Sequence, residues 1–224
     1  MTGSKRQFYD AKATTYTAVD PEALFRHRQA VACASLRPGN VVLDIGCKVG
    51  GLRDVLWGAQ QQIEYYGIDI SAEAISRITD VDGGHFSVAD VMDGLPFSDH
   101  MFDWVFMLEV LEHVENPTHC LREIKRVLDP GGGLIVSVPN PYCWNEVFAN
   151  LLGIPENEGH ISAWPPQLMS TLAHFSGFRV ESRRGTFVRV PFSRRCLRDR
   201  YWIIRTSSLF LTRSFVYVLS PANQ

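Results

Sequence analysis

Val41-Val42-Leu43-Asp44-Ile45-Gly46-Cys47-Lys48-Val49-Gly50 joins a short apolar run to a turn bounded by glycines. The run is β-branched and too brief for a helix, so it reads as a buried parallel strand. A helix is expected from about Gly51 to Gln60. The turn therefore lies between a strand end and a helix start. There the backbone can approach a ligand closely, and the helix N–H groups point at it. A lone Gly-x-x-x-Gly is weak. It gains weight from Asp69, nineteen residues beyond Gly50, near the end of the next apolar run, Tyr65 to Ile70. A carboxylate there is placed to accept both hydroxyls of an adenosine ribose.

Outward from this pair the chain alternates. Asp20-Pro21-Glu22 predicts a helix start, with an N-cap, a proline at N1 and an acid in the first turn, running to about Leu36. Ser71 caps a helix through about Ile78. His85 to Ala89 is a third strand, with Asp90 after it, and Phe102 to Leu108 is a fourth. Asn116-Pro117 opens a helix to Leu128, and Gly133 to Val138 is a fifth strand. A helix from Pro166 to Ser176 and strands at Phe178 to Ser182 and Ser214 to Leu219 follow. Strands alternating with helices predict an α/β fold: a seven-stranded, mostly parallel sheet with helices on both faces and the last strand antiparallel. One domain over 1–224 is expected, with an N-terminal helical cap at 1–38 and a basic insertion at 183–213 before the last strand. Residues 141–166 break the alternation and read as a lid or acceptor insertion at the ligand-binding edge. Tyr142, Trp144, Phe148 and Trp164 in it are expected to wall off an apolar pocket.

The ordered set of segments resembles the class I S-adenosylmethionine-dependent methyltransferases. It comprises Val42 to Cys47, Gly67-Ile68-Asp69-Ile70-Ser71, Asp90 with Leu95-Pro96-Phe97, Phe102-Asp103-Trp104-Val105, Glu109 to Val114 and Leu128 to Gly132. The resemblance covers roughly residues 20 to 185 and is closest in motif style to ubiquinone-pathway O-methyltransferases. It implies a Rossmann-like fold, S-adenosyl-L-methionine as cofactor and a small-molecule acceptor. It assigns the methionine moiety to the loop at Gly46, the ribose to Asp69 and the adenine amino group to Asp90. It also implies that Asp44, Cys47, Lys48, Gly50, Ile70, Val91 and Leu108 belong to the cofactor site. The expected acceptor atom is a hydroxyl oxygen of a sugar, lipid-linked or secondary-metabolite molecule.

Lys48 stands where most relatives have glycine. Lysine keeps φ negative or is strained, and a negative φ is the expectation. Its ammonium has three open placements: on the cofactor carboxylate, toward solvent, or blocking the site.

Glu109-x-x-Glu112-His113 brings carboxylates and an imidazole to metal-ligand spacing. This resembles the metal site of ubiquinone-pathway and small-RNA methyltransferases, in the latter of which a further histidine arrives from beyond the fifth strand. His160 is placed about there. The expected set is Glu109, Glu112, His113 and His160, holding Mg²⁺ or Mn²⁺. The alternative is that the segment is structural, with its histidine bonded locally. His160 and His113 are also the candidate bases toward a hydroxyl acceptor.

The stretch Arg179 to Arg213 carries ten arginines against Glu181 and Asp199, a local +8 in a chain of net charge −2. The body is correspondingly acidic. An anionic acceptor or partner is one reading; arginines paired with acids elsewhere is the other. Arginines interleaved with Phe187, Phe192, Tyr201, Trp202 and Phe210 keep an RNA acceptor as the rival, against which stand a pI near 6.4 and the absence of any recognised RNA-binding module. DNA is not expected. A third reading is a non-catalytic relative whose cofactor binding Lys48 has impaired. Five dispersed cysteines, Cys33, Cys47, Cys120, Cys143 and Cys196, read as free thiols. With a polar N-terminus and no ~20-residue apolar run, no signal peptide or membrane span is expected, and the location expected is cytoplasmic. Oligomeric state is not legible.

Overall fold

A computed structural model describes residues 5–16, 20–59, 62–79, 84–191 and 201–222. The elements in chain order are α1 (Lys5–Ala13), α2 (Pro21–Val31), β1 (Val41–Ile45), α3 (Gly51–Ala59), β2 (Glu64–Asp69) and α4 (Ala72–Ser76). They continue with β3 (Gly84–Val88), β4 (Phe102–Leu108), α5 (Pro117–Val127), β5 (Leu128–Pro139) and α6 (Trp144–Leu151). The last are α7 (Pro166–Phe175), β6 (Phe178–Gly185), β7 (Phe187–Pro191), β8 (Tyr201–Arg205) and β9 (Ser214–Pro221). Tight 3₁₀ turns at Val91–Asp93 and Leu111–His113 follow β3 and β4.

Seven strands form one sheet in the order β3-β2-β1-β4-β5-β9-β6. Neighbours from β3 to β5 pair in parallel, while β9 runs antiparallel to both β5 and β6. The expected architecture is present, antiparallel last strand included. Period-two alternation divides each strand between two cores. Leu43, Val105, Met107, Leu134, Val136, Phe215 and Tyr217 enter the core that contains residues of α5 and α7. Val42, Phe106, Leu108, Ile135 and Val216 face the core that contains residues of α2 and α3. Chain order reverses between β1 and β4, so a crevice opens beyond their carboxyl ends.

Local chemistry sets the helix starts. Asp20 accepts Glu22 N–H ahead of Pro21, Ser71 Oγ accepts Ala74 N–H, and Asn116 accepts His119 N–H. Helix ends came earlier than periodicity suggested. α2 stops at Val31 rather than Leu36 because the chain tightens into Cys33 N–H to Ala30 and Ala34 N–H to Val31 bonds. α4 stops at Ser76 rather than Ile78 for the same reason, and the Arg77 guanidinium then binds the carbonyls of Ala13 and Tyr16. α2 packs in the layer beside α3, and its Glu22 and Arg26 line the recess that α1 also borders.

The segment 183–213 holds a feature missed in the sequence. Beyond the end of β6, β7 and β8 form a separate two-stranded antiparallel ribbon. The alternation Phe187-Val188-Arg189-Val190 was the available signal. Phe192 and Cys196 lie outside the described residues. The other four cysteines are free thiols.

Candidate active site

The turn after β1 is pinned to β2: Gly46 and Cys47 N–H groups both bond the Ile68 carbonyl, at 2.8 and 3.0 Å. Gly46 has φ +79°, and a Cβ there would come within 2.4 Å of Val110 Cγ2, so only glycine fits. Lys48 has φ +51°. This corrects the expected negative φ; the lysine adopts the left-handed conformation the turn requires. Asp69 stabilises it, accepting Lys48 N–H through Oδ2 and Ser71 N–H through Oδ1, each at 2.9 Å. Burial raises the Asp69 pKa, and these two N–H donors oppose the rise.

The Lys48 side chain is solvent-accessible, yet it stands inside a recess walled by protein. That surround, with Arg26 next, lowers its pKa, while Glu109, Asp69 and Asp20 oppose the change. Its Nζ lies 5.3 Å from the centre of the Tyr16 ring. Burial pushes the Tyr16 hydroxyl up to about 12.

The recess has a volume of about 570 Å³. Gly46, Lys48, Asp69, Ile70, Asp90 and Val91 line one end. Asp44, Cys47 and Leu108 instead line a smaller recess of about 300 Å³, which Gly46 and Lys48 share. Gly50 supports the turn with φ +83° and an N–H bonded to Cys47. Asp44 is buried and accepts the Tyr65 hydroxyl at 2.6 Å; burial raises its pKa to about 7. Asp90 caps the turn after β3 through Met92 N–H.

Glu109, Glu112, His113 and His160 line the other part of the large recess. Glu109 also has a left-handed φ, +55°. Its carboxylate accepts Ser137 Oγ–H at 2.7 Å and Ser214 Oγ–H at 3.1 Å, with Arg26 at 3.6 Å. It is thus engaged elsewhere, and among the described residues the cluster with metal-ligand geometry is Glu112, His113 and His160, whose ligand atoms lie within 4.8 Å of one another. The positive φ at Glu109 turns the chain out of the helical spacing that would have aligned it with Glu112.

The Glu112 side chain is 1% exposed, and both carboxylate oxygens lack a hydrogen-bond partner among the described residues. Burial, then the nearby Glu109, drives its pKa well up. His113 Nδ1 is 2.9 Å from the Gly159 carbonyl. A carbonyl only accepts, so Nδ1 carries the proton and Nε2 presents its lone pair in the neutral ring. Burial lowers the His113 pKa and favours that neutral form. His160 Nδ1 is 3.3 Å from Glu156, and its Nε2 is 3.9 Å from Glu112.

Two residues of this site were missed in the sequence. Glu156 organises the loop that carries His160, accepting the N–H groups of Glu158, Gly159 and His160. Tyr9 of α1 lines the recess and meets the His113 ring edge-on at 5.6 Å. α1 is tied to the 141–166 segment by Lys12 Nζ donating to the Glu158 carbonyl at 2.7 Å. The aromatics of that segment do not wall the recess. Trp144 and Phe148 are 49% and 57% exposed, and Trp164 packs on the core. The wall is instead Glu146, Ala149, Asn150, Ile154 and Pro155. Arg179, Arg189 and Arg213 pair with Glu181, Glu22 and Glu146, in line with the reading of arginines matched by acids.

A family model described as a methyltransferase domain matches residues 13–183. Cycloartenol-C-24-methyltransferase 1 of Oryza sativa subsp. japonica is 36% identical over 118 residues, 49% of this chain and 34% of that protein. The 2-methyl-6-phytyl-1,4-hydroquinone methyltransferase of Synechocystis is 30% identical over 146 residues, 63% of this chain and 45% of that one. The ubiquinone biosynthesis O-methyltransferase of Idiomarina loihiensis is 30% identical over 137 residues, 58% of this chain and 52% of that protein. The chain thus spans about a third to a half of the length of these relatives. Among solved structures, the chain in complex with the Haloferax volcanii Trm112 methyltransferase activator superposes with TM-score 0.78 at 22% identity, over 99% of each chain. A SAM-dependent methyltransferase from Aquifex aeolicus gives 0.62 at 17% identity, over 94% of this chain and 97% of that one. At such identities the structural likeness concerns the fold alone. Since the family model spans most of the chain, and the glycine turn, Asp69 and Asp90 stand at the strand ends where its motifs fall, the chain belongs to the class I S-adenosylmethionine-dependent methyltransferase family.

Proposed function

We propose that the chain transfers a methyl group from S-adenosylmethionine to a hydroxyl oxygen of a small acceptor, of the sugar, lipid-linked or secondary-metabolite kind. One observation carries this reading: a single recess joins Asp69 and Asp90 at one part to Glu112, His113 and His160 at another. The cofactor, when bound, supplies a methyl group on a positively charged sulfonium. The residues present fit it. Each Asp69 oxygen has one lone pair on a backbone N–H and another for a ribose hydroxyl. Asp90 and the Val91 and Ile70 walls suit the adenine end. His160 takes the acceptor proton, with Glu156 holding its other nitrogen. The named relatives are a cycloartenol-C-24-methyltransferase, a 2-methyl-6-phytyl-1,4-hydroquinone methyltransferase and a ubiquinone biosynthesis O-methyltransferase, which supports a small-molecule acceptor.

The test is transfer of labelled methyl to a panel of hydroxyl compounds. His160→Ala should cost about 10²–10⁴-fold in rate and leave cofactor affinity unchanged. Parent-like activity in that variant rejects the base assignment.

A second reading is favoured by the orphaned oxygens of Glu112. Glu112, His113 Nε2 and His160 would then hold a divalent cation such as Mg²⁺ or Mn²⁺, with the Gly159 carbonyl fixing the His113 tautomer. Under this reading His160→Ala loses metal as well as activity. Retained activity in excess chelator rules it out.

A further inference from the structure

Helix α6 has two chemically different faces. Glu146, Ala149 and Asn150 line the recess. At 3.6 residues per turn, Trp144, Val147, Phe148 and Leu151 fall on the opposite side. These are exposed: Trp144 by 49%, Phe148 by 57% and Leu151 by 76%. No residue of α6 is buried. The turn at Phe210 and Leu211 extends the apolar surface. Trp144 N–H bonds the Phe210 carbonyl at 3.0 Å, and both Phe210 and Leu211 are exposed. A contiguous apolar patch beside a ligand recess marks an interaction surface.

We propose that this face docks on an anionic lipid bilayer and so delivers a bilayer-dissolved acceptor to the recess. The delivery rests on the functional reading above; the docking does not. Charge argues for this occupant. Phe210 and Leu211 belong to the stretch with ten arginines against two acids, and Arg184 and Arg205 in it are exposed. Arg213 is paired with Glu146 of α6, and the exposed Arg184 and Arg205 of the same segment, unmatched among the described residues, supply positive charge suited to anionic headgroups when the apolar face enters an acyl layer. A second copy, whose acidic body also complements arginines, is the rival occupant that sedimentation velocity separates. The apolar character of the face also argues against nucleic acid, which needs its cations at the contact. Only the width of one helix, about 10 Å, separates the patch from the recess.

The experiment is co-sedimentation of the full chain, without cofactor, with phosphatidylcholine vesicles carrying or lacking phosphatidylglycerol. Binding is expected to the anionic vesicles and to weaken with salt. The double variant Phe148→Asp, Leu151→Asp should lose at least tenfold in partitioning with an unchanged melting temperature, since both side chains are exposed. Should that variant unfold, Leu151→Ser alone must still weaken partitioning severalfold. No binding to anionic vesicles, or binding indifferent to these variants, overturns the proposal. So does a dimer in sedimentation velocity that the same variants dissociate. A chain that binds vesicles but shows no cofactor binding by calorimetry upholds docking and overturns only the functional reading.

Discussion

Asp69 Oδ2 accepts the backbone N–H of Lys48 at 2.9 Å, so the acid at the end of β2 holds the left-handed residue of the loop after β1. The same carboxylate binds Ser71 N–H through its other oxygen. One side chain thereby sets two backbone segments and still presents lone pairs to the recess. Asp69→Ala should weaken S-adenosylmethionine binding by about 1.5–3 kcal/mol, roughly 10- to 150-fold. Titration calorimetry checks it; parent-like affinity would reject the ribose assignment.

Lys48 is the loop's departure from glycine. A non-glycine residue in the left-handed region costs about 1–2 kcal/mol, and glycine gives back about 0.5–1 kcal/mol in chain entropy. Lys48→Gly should therefore raise the melting temperature by up to a few degrees, and Lys48→Val should lower it. Both parent and glycine variant should melt higher with added cofactor. A shift confined to the glycine variant would mean that the lysine blocks the site.

Glu112→Gln tests the buried cluster in two ways. Burial raises the Glu112 pKa in the folded chain, so its contribution to stability is fully present at acid pH and is lost as pH rises through the folded value. The neutral glutamine has no such loss, so the variant should gain on the parent as pH rises above the ordinary glutamate value of about 4.3. If the cluster binds a divalent cation, Mn²⁺ should raise the melting temperature of the parent and not of the variant. Equal Mn²⁺ shifts in both would remove Glu112 from the ligand set.

Asp44 gives a second pH signature. Its folded pKa is raised from 3.8 to about 7 by burial, against the opposing Tyr65 hydrogen bond. Its contribution is intact below about pH 4 and is lost as pH climbs toward 7. Over that window the parent should lose up to about 1.4 kcal/mol per pH unit relative to Asp44→Asn. Urea titrations of the two proteins at pH 4.5, 6 and 7.5, values chosen to bracket the window at roughly even steps, read the difference directly. A constant difference would show that Asp44 is ionised throughout.

The sequence by itself determined the sheet, its helix layers and the loop-and-acid pair of Gly46 and Asp69. These depend on residues near one another in the chain: alternation along a strand, a capping side chain three residues from its N–H, a glycine that no Cβ can replace. Helix ends at Val31 and Ser76 were less legible because 3₁₀ tightening competes with continued α-helix at little cost.

Only the tertiary structure decided which members of Glu109-x-x-Glu112-His113 converge. Glu109 is drawn off by Ser137 and Ser214, 28 and 105 residues away, while His160 is brought in by a loop that Glu156 and Lys12 hold. The same is true of α6: its composition suggested a pocket wall, and its packing turned the aromatics outward. Local sequence fixes backbone conformation within a few residues. Which carboxylate faces a histidine, and which helix face meets solvent, depend on long-range packing that no short window contains.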